Sequence, residues 1–477
     1  MIFTSYTYLL FLSMVFLLYW SMPPRWRNVL LIAASYFFYS TWDWRFGFLL
    51  LGISVFNWAY GRFLATRQEA NTPLVLGVLV NLVPLLYFKY TGFFLTNLAA
   101  LVTAAGGGWH LDIPKIILPL GISFFTFQGV AYLVDVWVGE EPFQRLRDFL
   151  LFKAFWPQLI AGPIIRPHEI ADQILATRHV TQADLAFGCQ RILFGFFKKV
   201  VIADALSTYI DAVFLRGATP NGVDAIFATF GFGLQIYFDF SAYSDIAIGS
   251  ARLFGFTFPE NFNWPYAAPS PQEFWTRWHM TLSRWIRDYV FTPISFSTRN
   301  YPRLALLWLL VAMAICGLWH GAQWTFVAWG CWHGSLLVLN QTALKGIFTL
   351  NRKKLSKGAY FIRYLIGWGV TYLMVNLAWV LFRAQDMTSA LSMYRAIFTL
   401  KGGLHPAVMR ENTMVFIGVV ALALLALQVA RPWLEVNLGQ QRPHPLHISG
   451  RALVYTAMIV AVIVFDTSSK AFVYFQF

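Results

Sequence analysis

The chain carries its densest polar and aromatic chemistry in NFNWPYAAPSPQEFWTRWHMTLSRWIRDYVFTPI (residues 261–294) and GLWHGAQWTFVAWGCWHG (residues 317–334). Three of the nine histidines, His279, His320 and His333, lie in these two runs, which are also rich in tryptophan. Titratable side chains concentrated in this way indicate a functional site. We expect His320 to perform the chemistry and His279 to support it, with the rest of the chain forming a membrane cavity around them.

The composition predicts a polytopic membrane protein. Of the 477 residues, 58% are hydrophobic and 12% are charged, whereas a soluble globular domain has about 25% charged residues. Hydrophobic runs of near-membrane length recur from one end of the chain to the other. We therefore expect an all-α membrane protein of about 11–13 transmembrane and re-entrant helices, without a soluble domain.

The positive charge is distributed as membrane insertion requires. The net charge of +14 comes from basic residues in short loops between apolar runs, a pattern that marks cytoplasmic loops and argues against nucleic-acid binding. Arg25 and Arg27 mark the first such loop, which predicts an outer, periplasmic N-terminus. Some attraction of the basic loops to anionic lipids of the bilayer is also expected. The clearest basic cluster comprises Lys345, Arg352, Lys353, Lys354, Lys357 and Arg363.

The N-terminus and the cysteines are both typical of a membrane-embedded chain. The apolar run at residues 8–20 lacks a basic n-region and is followed by SMPPRWR rather than a cleavage site, which predicts a first transmembrane helix. Cys189, Cys316 and Cys331 show neither a disulfide framework nor a metal-ligand spacing. Each lies in or beside an apolar run, where a free cysteine behaves as a small hydrophobe.

Most of the remaining helices follow from apolar runs. They are predicted at residues 29–41, 46–60, 73–90, 92–105, 186–214, 225–252, 364–382, 414–430 and 452–465. Lys89 divides two of them, and Lys198 and Lys199 interrupt a third. A further pair, at residues 305–319 and 324–338, predicts a hairpin that turns at residues 320–322.

Two segments of membrane length are predicted to be broken. Residues 113–137 and 152–170 are both rich in proline, glycine and polar residues. Irregular backbone at membrane depth is tolerated only where it is buried in protein or lines a water-filled cavity. We interpret both as re-entrant or interrupted helices, and a pair of proline-kinked helices is the alternative.

The helix predicted at residues 225–252 carries buried polar chemistry. Four side chains share one of its faces: Tyr237, Ser241, Ser244 and Asp245. Asp239 lies off that face. Carboxylates within a span are costly and suggest function, and hydrogen-bonded pairs between helices are the structural alternative. We expect Asp239 and Asp245 to orient other groups or to serve the structure, rather than to act as the base.

Residues 272–290 are too charged to cross a membrane. Their apolar side chains fall on one helical stripe, formed by Trp275, Trp278, Leu282, Trp285 and Tyr289. The pattern predicts one amphipathic helix that lies along the membrane interface or dips into it. His279 lies at the margin of this stripe, where it could point into the protein.

Three local arrangements could carry catalysis. His320 ends an apolar run, and a desolvated histidine stays neutral and can take a proton from a hydroxyl, although a buried structural histidine is the alternative. Cys316 lies one turn before it, a spacing that would suit a Cys–His nucleophile pair or simple packing. His333 lies 13 residues after His320, which along a straight helix is about 20 Å. The turn between them shortens this distance, but we do not expect the two to act on the same atom and interpret His333 as structural. The pattern contains no metal-binding motif.

The chain resembles a known family along nearly its whole length. The resemblance is carried by PQLIAGPIIRPHEI (157–170), QIYFDFSAYSDIAIG (235–249) and the two runs quoted first, and MIFTSYTYLLF and YFFYSTWDW also fit. These stretches resemble the membrane-bound O-acyltransferase (MBOAT) family, in the bacterial subgroup of alginate O-acetylation, with teichoic acid D-alanyl transfer proteins as relatives. Thr276 is a local departure, since relatives often carry a basic residue there.

The resemblance implies a fold and a catalytic pair. It implies a single membrane-embedded domain over residues 1–477, with N-terminal helices at 1–110, a catalytic core at 111–345 and C-terminal helices at 346–477. The family fold is a ring of tilted helices around a thinned central core, with a tunnel from the cytoplasmic face to an outer funnel. The catalytic histidine of the family's WHG motif falls on His320, and the second family position falls on His279.

The resemblance also implies a reaction. An acyl group, acetyl from acetyl-CoA, would pass from the cytoplasm across the bacterial inner membrane to a hydroxyl on a periplasmic partner or on an exopolysaccharide such as alginate or cellulose. A periplasmic SGNH-type acetyltransferase or esterase would be the partner, and neither a bound cofactor nor a metal is expected. Alternatives are D-alanyl transfer from a carrier protein and a transporter or flippase. Candidates for lining the substrate path are Arg277, Trp278, Trp319, Gln158, Arg166, Tyr237, Asp239, Ser241 and Asp245.

Overall fold

The described part of the chain is helical throughout its regular structure. The structure, a computed structural model, describes residues 1–107, 113–215, 221–301, 303–348, 356–400, 402–403, 405–408, 411–439, 445–465 and 472. Four helical runs among them are long and apolar enough to cross a membrane, and five shorter apolar helices accompany them. The prediction of an all-α membrane protein is confirmed.

The chain folds into two compact units. The first comprises residues 1–192 and 243–260, and the second comprises residues 193–242 and 261–477. The helices of the first unit are α1 (Tyr6–Ser21), α2 (Pro24–Ser40), α3 (Trp44–Leu64), α4 (Asn71–Leu85), α5 (Thr91–Ala104), α6 (Ile122–Val138), α7 (Leu146–Ala154), α8 (Trp156–Leu159), α9 (Pro167–Leu175) and most of α10 (Gln182–Phe196).

The division predicted near Lys89 is a π-helical turn within one helical run, rather than a gap between two helices. The segments at residues 73–90 and 92–105 form a single helical run, from α4 through a π-helical turn at Leu86–Tyr90 into α5. Pro84 lies just before that turn. A proline removes one backbone hydrogen bond without ending the helix when a π-turn absorbs the extra residue.

Both segments that were predicted to be broken, residues 113–137 and 152–170, are interrupted in the structure. Residues 113–119 have no regular structure, and α6 begins after Gly121, whose φ is 72°. A Cβ on Gly121 would lie 3.1 Å from the Ile160 Cα, so this turn requires glycine. The second segment divides into the end of α7, the single turn α8, an irregular stretch and α9, and nearly all of its residues up to 165 are buried. Burial is what irregular backbone needs in an apolar surrounding.

The second unit contains the remaining helices. They are α11 (Asp204–Phe214), α12 (Gly222–Leu253, up to residue 242), α13 (Pro271–Trp275), α14 (Met280–Ile286), α15 (Thr292–Ser297), α16 (Leu304–His320), α17 (Trp324–Gln341), α18 (Lys345–Phe348), α19 (Lys357–Arg383), α20 (Met387–Thr399), α21 (Glu411–Gly439) and α22 (Pro445–Phe465). Helices α16 and α17 form the predicted hairpin, and α19 packs on α17.

The α16–α17 hairpin is packed backbone against backbone. A Cβ on Gly317 would fall inside contact distance of the Phe326 carbonyl oxygen and 3.0 Å from the Gly330 backbone nitrogen. A Cβ on Gly330 would likewise collide with the Met313 carbonyl oxygen. Small residues permit this close approach of two helices in an apolar medium. The hairpin fixes the position of His320, which ends α16.

The predicted break at the paired lysines is confirmed. The helix changes to a π-helical turn at Phe197–Ala203 between α10 and α11. Lys199 is buried there, and its Nζ lies 2.7 Å from carboxylate oxygens of both Asp204 and Asp239. The extra turn residue directs the ammonium group at Asp239 on α12. A buried lysine requires such pairing.

The single amphipathic helix predicted at residues 272–290 is wrong. The chain forms two short helices, α13 and α14, separated by a turn at His279 and followed by a π-helical turn at Arg287–Phe291. The tryptophans of the predicted stripe are nevertheless buried. The short helix α20 was not predicted. The centre of the predicted basic cluster, residues 352–354, lies outside the described residues.

Candidate active site

His279 occupies a tight turn that is held by backbone hydrogen bonds to the preceding segment, Asn261 to Asn263. Its φ of 41° lies in the left-handed region, which is unusual for a side chain other than glycine, asparagine or aspartate. The Met280 N–H donates to the Asn261 carbonyl oxygen at 2.9 Å, and the Asn263 N–H donates to the Arg277 carbonyl oxygen at 2.9 Å. These two bonds tie the NFN segment to the turn and hold the strained backbone.

The amide of Asn261 sets the orientation of the His279 ring. Asn261 Oδ1 accepts from the Thr281 hydroxyl at 2.9 Å and lies 3.1 Å from His279 Nδ1. An amide oxygen is only an acceptor, so Nδ1 carries the proton and Nε2 presents a lone pair. Nε2 is buried and has no hydrogen-bond partner within the described residues. His279 lies outside the membrane-spanning helices, and burial lowers its pKa, which keeps the ring neutral.

His320 ends α16 inside an aromatic enclosure. The ring is 7% exposed. Its centroid lies 4.8 Å from that of Trp319, 5.1 Å from that of Trp329 and 5.2 Å from that of Phe382, all in edge-to-face arrangements. Gly321 follows, and a Cβ there would collide with the Phe326 ring. The sequence GLWHG therefore places an imidazole at a helix end among rings that exclude bulk water.

The two candidate histidines share an indole. The Trp319 ring centroid lies 6.4 Å from that of His279 and 4.8 Å from that of His320. The structure thus brings together the WHG motif and the RWH motif, which lie about 40 residues apart in sequence. A hydroxyl and a carbonyl group lying beside this indole could be approached by both imidazoles.

His333 lies closer to His320 than the helical spacing predicts. The Trp329 ring lies 4.8 Å from His333 and 5.1 Å from His320, so one indole separates the two histidines. The hairpin folds α17 back along α16, so the turn shortens the separation below the length of about 20 Å that a straight helix would give. His333 also stacks on Phe274 at 6.1 Å and is buried.

A cavity of about 470 Å³ opens beside the hairpin in the second unit. Cys316 and Met313 of α16 line one wall, and Arg284 and Arg287 line another. The lining is mainly apolar. Cys316 lies one helical turn before His320 and is 1% exposed. A thiol buried among apolar side chains is normally inert, which favours packing over a nucleophilic role.

Comparison with known proteins assigns the chain to a family. The model of the MBOAT, membrane-bound O-acyltransferase family matches residues 145–382, which include both candidate histidines. The probable alginate O-acetylase AlgI of Azotobacter vinelandii is 40% identical over 405 residues, 84% of this chain and 78% of the relative. The chain belongs to the membrane-bound O-acyltransferase family. It is therefore an acyltransferase of the membrane.

Two further relatives carry different names within the same family. The peptidoglycan O-acetyltransferase of Helicobacter pylori is 34% identical over 430 residues, which cover 82% of this chain and 77% of the relative. The teichoic acid D-alanyltransferase of Bacillus subtilis is 30% identical over 290 residues, which cover 58% of this chain and 70% of the relative. The family is therefore shared by proteins that are named for different acyl groups.

Several residues predicted to line the substrate path of this MBOAT protein lie in the second unit with the histidines. Trp278 is buried, and its ring centroid lies 5.0 Å from that of Trp379 and 6.3 Å from that of Tyr237. Arg277 is paired with Glu273 one helical turn earlier. Ser241 Oγ accepts a hydrogen bond from Lys198 Nζ at 3.4 Å. Asp239 forms an ion pair with Lys199.

The other predicted path residues lie in the first unit. Asp245 forms an ion pair with Arg191 at 2.8 Å. Gln158 donates from Nε2 to the Phe152 carbonyl oxygen, and Arg166 precedes α9, where Glu169 accepts from its backbone N–H at 2.9 Å. Asp239 and Asp245 are therefore both held in ion pairs with basic side chains. This supports the structural interpretation of the two carboxylates over a role as the base.

The structure adds residues that the sequence did not indicate. Asn261 orients His279, and Trp329 and Phe382 enclose His320. Asn261 begins the quoted run, but nothing local distinguishes it from a loop asparagine, and Phe382 lies in a helix predicted only as a span. Across the described ranges, no group of three or more histidine, cysteine, aspartate or glutamate side chains could hold a metal ion.

Proposed function

We propose that this MBOAT protein transfers an acetyl group from acetyl-CoA, at the cytoplasmic side of the bacterial inner membrane, to a hydroxyl presented from the periplasm. The observation that carries the proposal is the His320 imidazole, buried among Trp319, Trp329 and Phe382 and linked to His279 through one indole. The names of the alginate O-acetylase and peptidoglycan O-acetyltransferase relatives support acetyl as the acyl group and an envelope polysaccharide as the acceptor.

His320 acts as the general base in this proposal. Its neutral ring takes the proton of the acceptor hydroxyl as the oxygen attacks the thioester carbonyl. A new C–O ester bond forms, the C–S bond breaks, and the departing CoA sulfur receives from the His320 imidazolium the proton that the ring took from the hydroxyl. The enclosing rings remove bulk water, which strengthens the interaction of the imidazolium with the developing oxyanion.

His279 orients the reactants. Its Nε2 presents a lone pair in the buried site because Asn261 holds the proton on Nδ1. A lone pair accepts a hydrogen bond, so His279 positions the acceptor through a hydroxyl next to the one that His320 deprotonates, rather than by contact with the thioester carbonyl. The ring is fixed by Phe240, whose centroid lies 4.7 Å away. Fixed orientation of this kind contributes to rate by holding the reacting atoms in an attacking geometry.

The cavity beside α16 supports a thioester donor. Its apolar walls suit the pantetheine arm, and the guanidinium groups of Arg284 and Arg287 suit the phosphates of CoA. Cys316 lines this cavity one turn before His320. Transfer in the proposal is direct, from CoA to the hydroxyl, without an acyl-cysteine intermediate.

The acceptor is an exopolysaccharide of the alginate or cellulose kind, reached through a periplasmic SGNH-type partner. The N-terminus lies in the periplasm, since Arg25 and Arg27 mark a cytoplasmic loop by the positive-inside rule. The main alternative is D-alanyl transfer, which the Bacillus subtilis relative favours. That alternative requires a carrier protein as donor in place of acetyl-CoA.

The test measures transfer from labelled acetyl-CoA by the purified protein in nanodiscs, together with its periplasmic partner protein. His320→Ala, Cys316→Ser and the wild type are compared, and His168→Ala serves as the matched control because His168 is an exposed histidine of the first unit. We expect loss of transfer only in His320→Ala. Size-exclusion profiles and melting curves check that all variants are folded.

Other results would replace the proposal. Loss in Cys316→Ser, with a labelled wild-type enzyme, would indicate an acyl-cysteine route. Transfer of D-alanine from a carrier protein, without transfer from acetyl-CoA, would establish the alternative acyl group. Normal turnover by a folded His320→Ala variant would refute the assignment of the base and favour transport.

A further inference from the structure

An arginine-rich pocket of about 200 Å³ lies in the first unit. It is bounded by the first turn of α2, the first turn of α7 and the end of α9. We call it the arginine pocket. Five of its lining side chains are arginines, namely Arg25, Arg27, Arg145, Arg147 and Arg178. Concentrated guanidinium groups repel one another, so such an arrangement indicates an anionic ligand.

Two of these arginines are fixed by bonds to neutral groups. Arg178 is 8% exposed, and its Nε donates to the Tyr19 hydroxyl at 2.8 Å. Arg27 Nη1 donates to the Arg178 carbonyl oxygen at 3.1 Å. Neither forms an ion pair with a carboxylate in the part of the chain that the structure describes. Their charge is therefore held in place without being neutralised.

Two others are available to a ligand. Arg25 and Arg145 are exposed at the pocket wall, and neither makes a side-chain hydrogen bond or ion pair to any described residue. A guanidinium presents five N–H donors in a fixed plane, and two neighbouring donors can bond to two oxygens of one phosphate group. Together with the fixed Arg27 and Arg178, they form a site with both anchored and adaptable donors.

The helix ends add to the positive potential. Neither α2 nor α7 has a side-chain cap at its N-terminus, and first-turn residues of both line the pocket. Free backbone N–H groups at such ends attract anions. Asp148 is the single carboxylate in the lining. Its Oδ1 accepts from Arg147 Nε at 3.2 Å, whereas its buried Oδ2 has no hydrogen-bond partner among the described residues.

The surroundings match the headgroup level of a membrane. Trp26, between Arg25 and Arg27 in sequence, is 49% exposed, and Leu175 at the pocket rim is 67% exposed. Arg27 also lies over the Trp20 ring, 4.6 Å from its centroid. Tryptophan and arginine side by side are typical of the interface, and basic loops mark the cytoplasmic leaflet, where anionic lipids are found.

We propose that the arginine pocket binds the phosphate headgroup of an anionic glycerophospholipid. The phosphate lies among Arg25, Arg145 and the two helix N-termini, and the acyl chains pack against Trp26 and Leu175. A soluble phosphate, such as inorganic phosphate or free CoA, shares the anionic group but leaves the exposed apolar rim uncovered.

The test compares lipid retention by the full-length protein with native mass spectrometry and thermal melting. The probes are nanodiscs of phosphatidylcholine with and without phosphatidylglycerol, and then inorganic phosphate or CoA added to phosphatidylcholine nanodiscs. The test variant is Arg25→Gln/Arg145→Gln. The matched control is Arg62→Gln/Arg67→Gln, which removes the same charge from exposed arginines of the first unit that lie outside the pocket lining.

The expected result is selective. The wild type and the control retain phosphatidylglycerol and melt at a higher temperature in its presence. The pocket variant retains at least about tenfold less phosphatidylglycerol, because it has lost charge-assisted hydrogen bonds to the phosphate. Equal losses in both double variants would show general surface attraction and overturn the proposal. So would a wild type without preference for phosphatidylglycerol, or stabilisation by inorganic phosphate or CoA alone.

Discussion

Substitution of Gly317 by alanine tests whether the hairpin positions the base. The added methyl group would collide with the Phe326 carbonyl oxygen and lie 3.0 Å from the Gly330 nitrogen. Because both are backbone atoms, no side chain can rotate away, and α16 and α17 must separate by about 1 Å to restore ordinary contact. Overpacking of this kind costs about 1–3 kcal/mol of stability. His320 lies three residues further on, and a displacement of about 1 Å at reacting groups costs about 100-fold in rate.

The assay measures both consequences of Gly317→Ala. Thermal melting in detergent reports stability independently of the proposed reaction, and transfer from labelled acetyl-CoA reports rate. Gly369→Ala is the matched control, since a Cβ on Gly369, also within a helix, would meet no atom within 4 Å. It should keep its activity and gain up to about 1 kcal/mol of stability. A Gly317→Ala variant with wild-type melting and wild-type rate would refute the reasoning.

Three further substitutions probe the second unit. Lys199→Met leaves the buried Asp239 without its cation and should cost about 3–5 kcal/mol, seen as a lower melting temperature or loss of folded protein. Asn261→Ala frees the His279 ring and should lower kcat about 10-fold to 100-fold with a smaller effect on KM. Unchanged kcat would exclude the orienting role. His333→Gln should lower the melting temperature by loss of ring contacts and keep kcat within about tenfold of the wild type, since the ring only packs against its neighbours.

Features of the fold that depend on local sequence could be predicted. The hairpin turns at the glycine that follows His320, and the π-helical turn falls on the two lysines that were expected to interrupt the helix. Both reflect local chemistry, a glycine that tolerates close approach and a charge that cannot remain in an apolar helix unpaired. The family was likewise carried by contiguous residues.

The break at His279 was not predictable from periodicity. The apolar stripe of residues 272–290 fits a helix, and the tryptophans are buried as the stripe requires. The turn exists because Asn261 and Asn263 bond to the backbone of Arg277 and Met280. Such long-range bonds override helix propensity, and strained turns of this kind are common at functional sites.

One missed element did leave a sequence signal. Asp386 accepts a hydrogen bond from the Ser389 backbone N–H at 2.7 Å and caps α20. Aspartate before an apolar periodic run is a helix start signal. The turn between His320 and His333 was expected to shorten their separation, but the sequence did not give the amount. A separation along one helix says little once a turn reverses the chain direction, as α16 and α17 show.

The rings around His320 bear on reaction fidelity. A base that removes a proton from a sugar hydroxyl can remove one equally well from water, and a transferase differs from a thioesterase only in which nucleophile reaches it. Trp319, Trp329 and Phe382 surround the imidazole in edge-to-face contacts and leave His320 7% exposed. In the proposed reaction, this enclosure would suppress wasteful hydrolysis of the thioester because it leaves little room for solvent. If His320 is the base, as proposed, the tryptophan-rich sequence that surrounds WHG would protect the cell's activated acyl supply as well as build the fold.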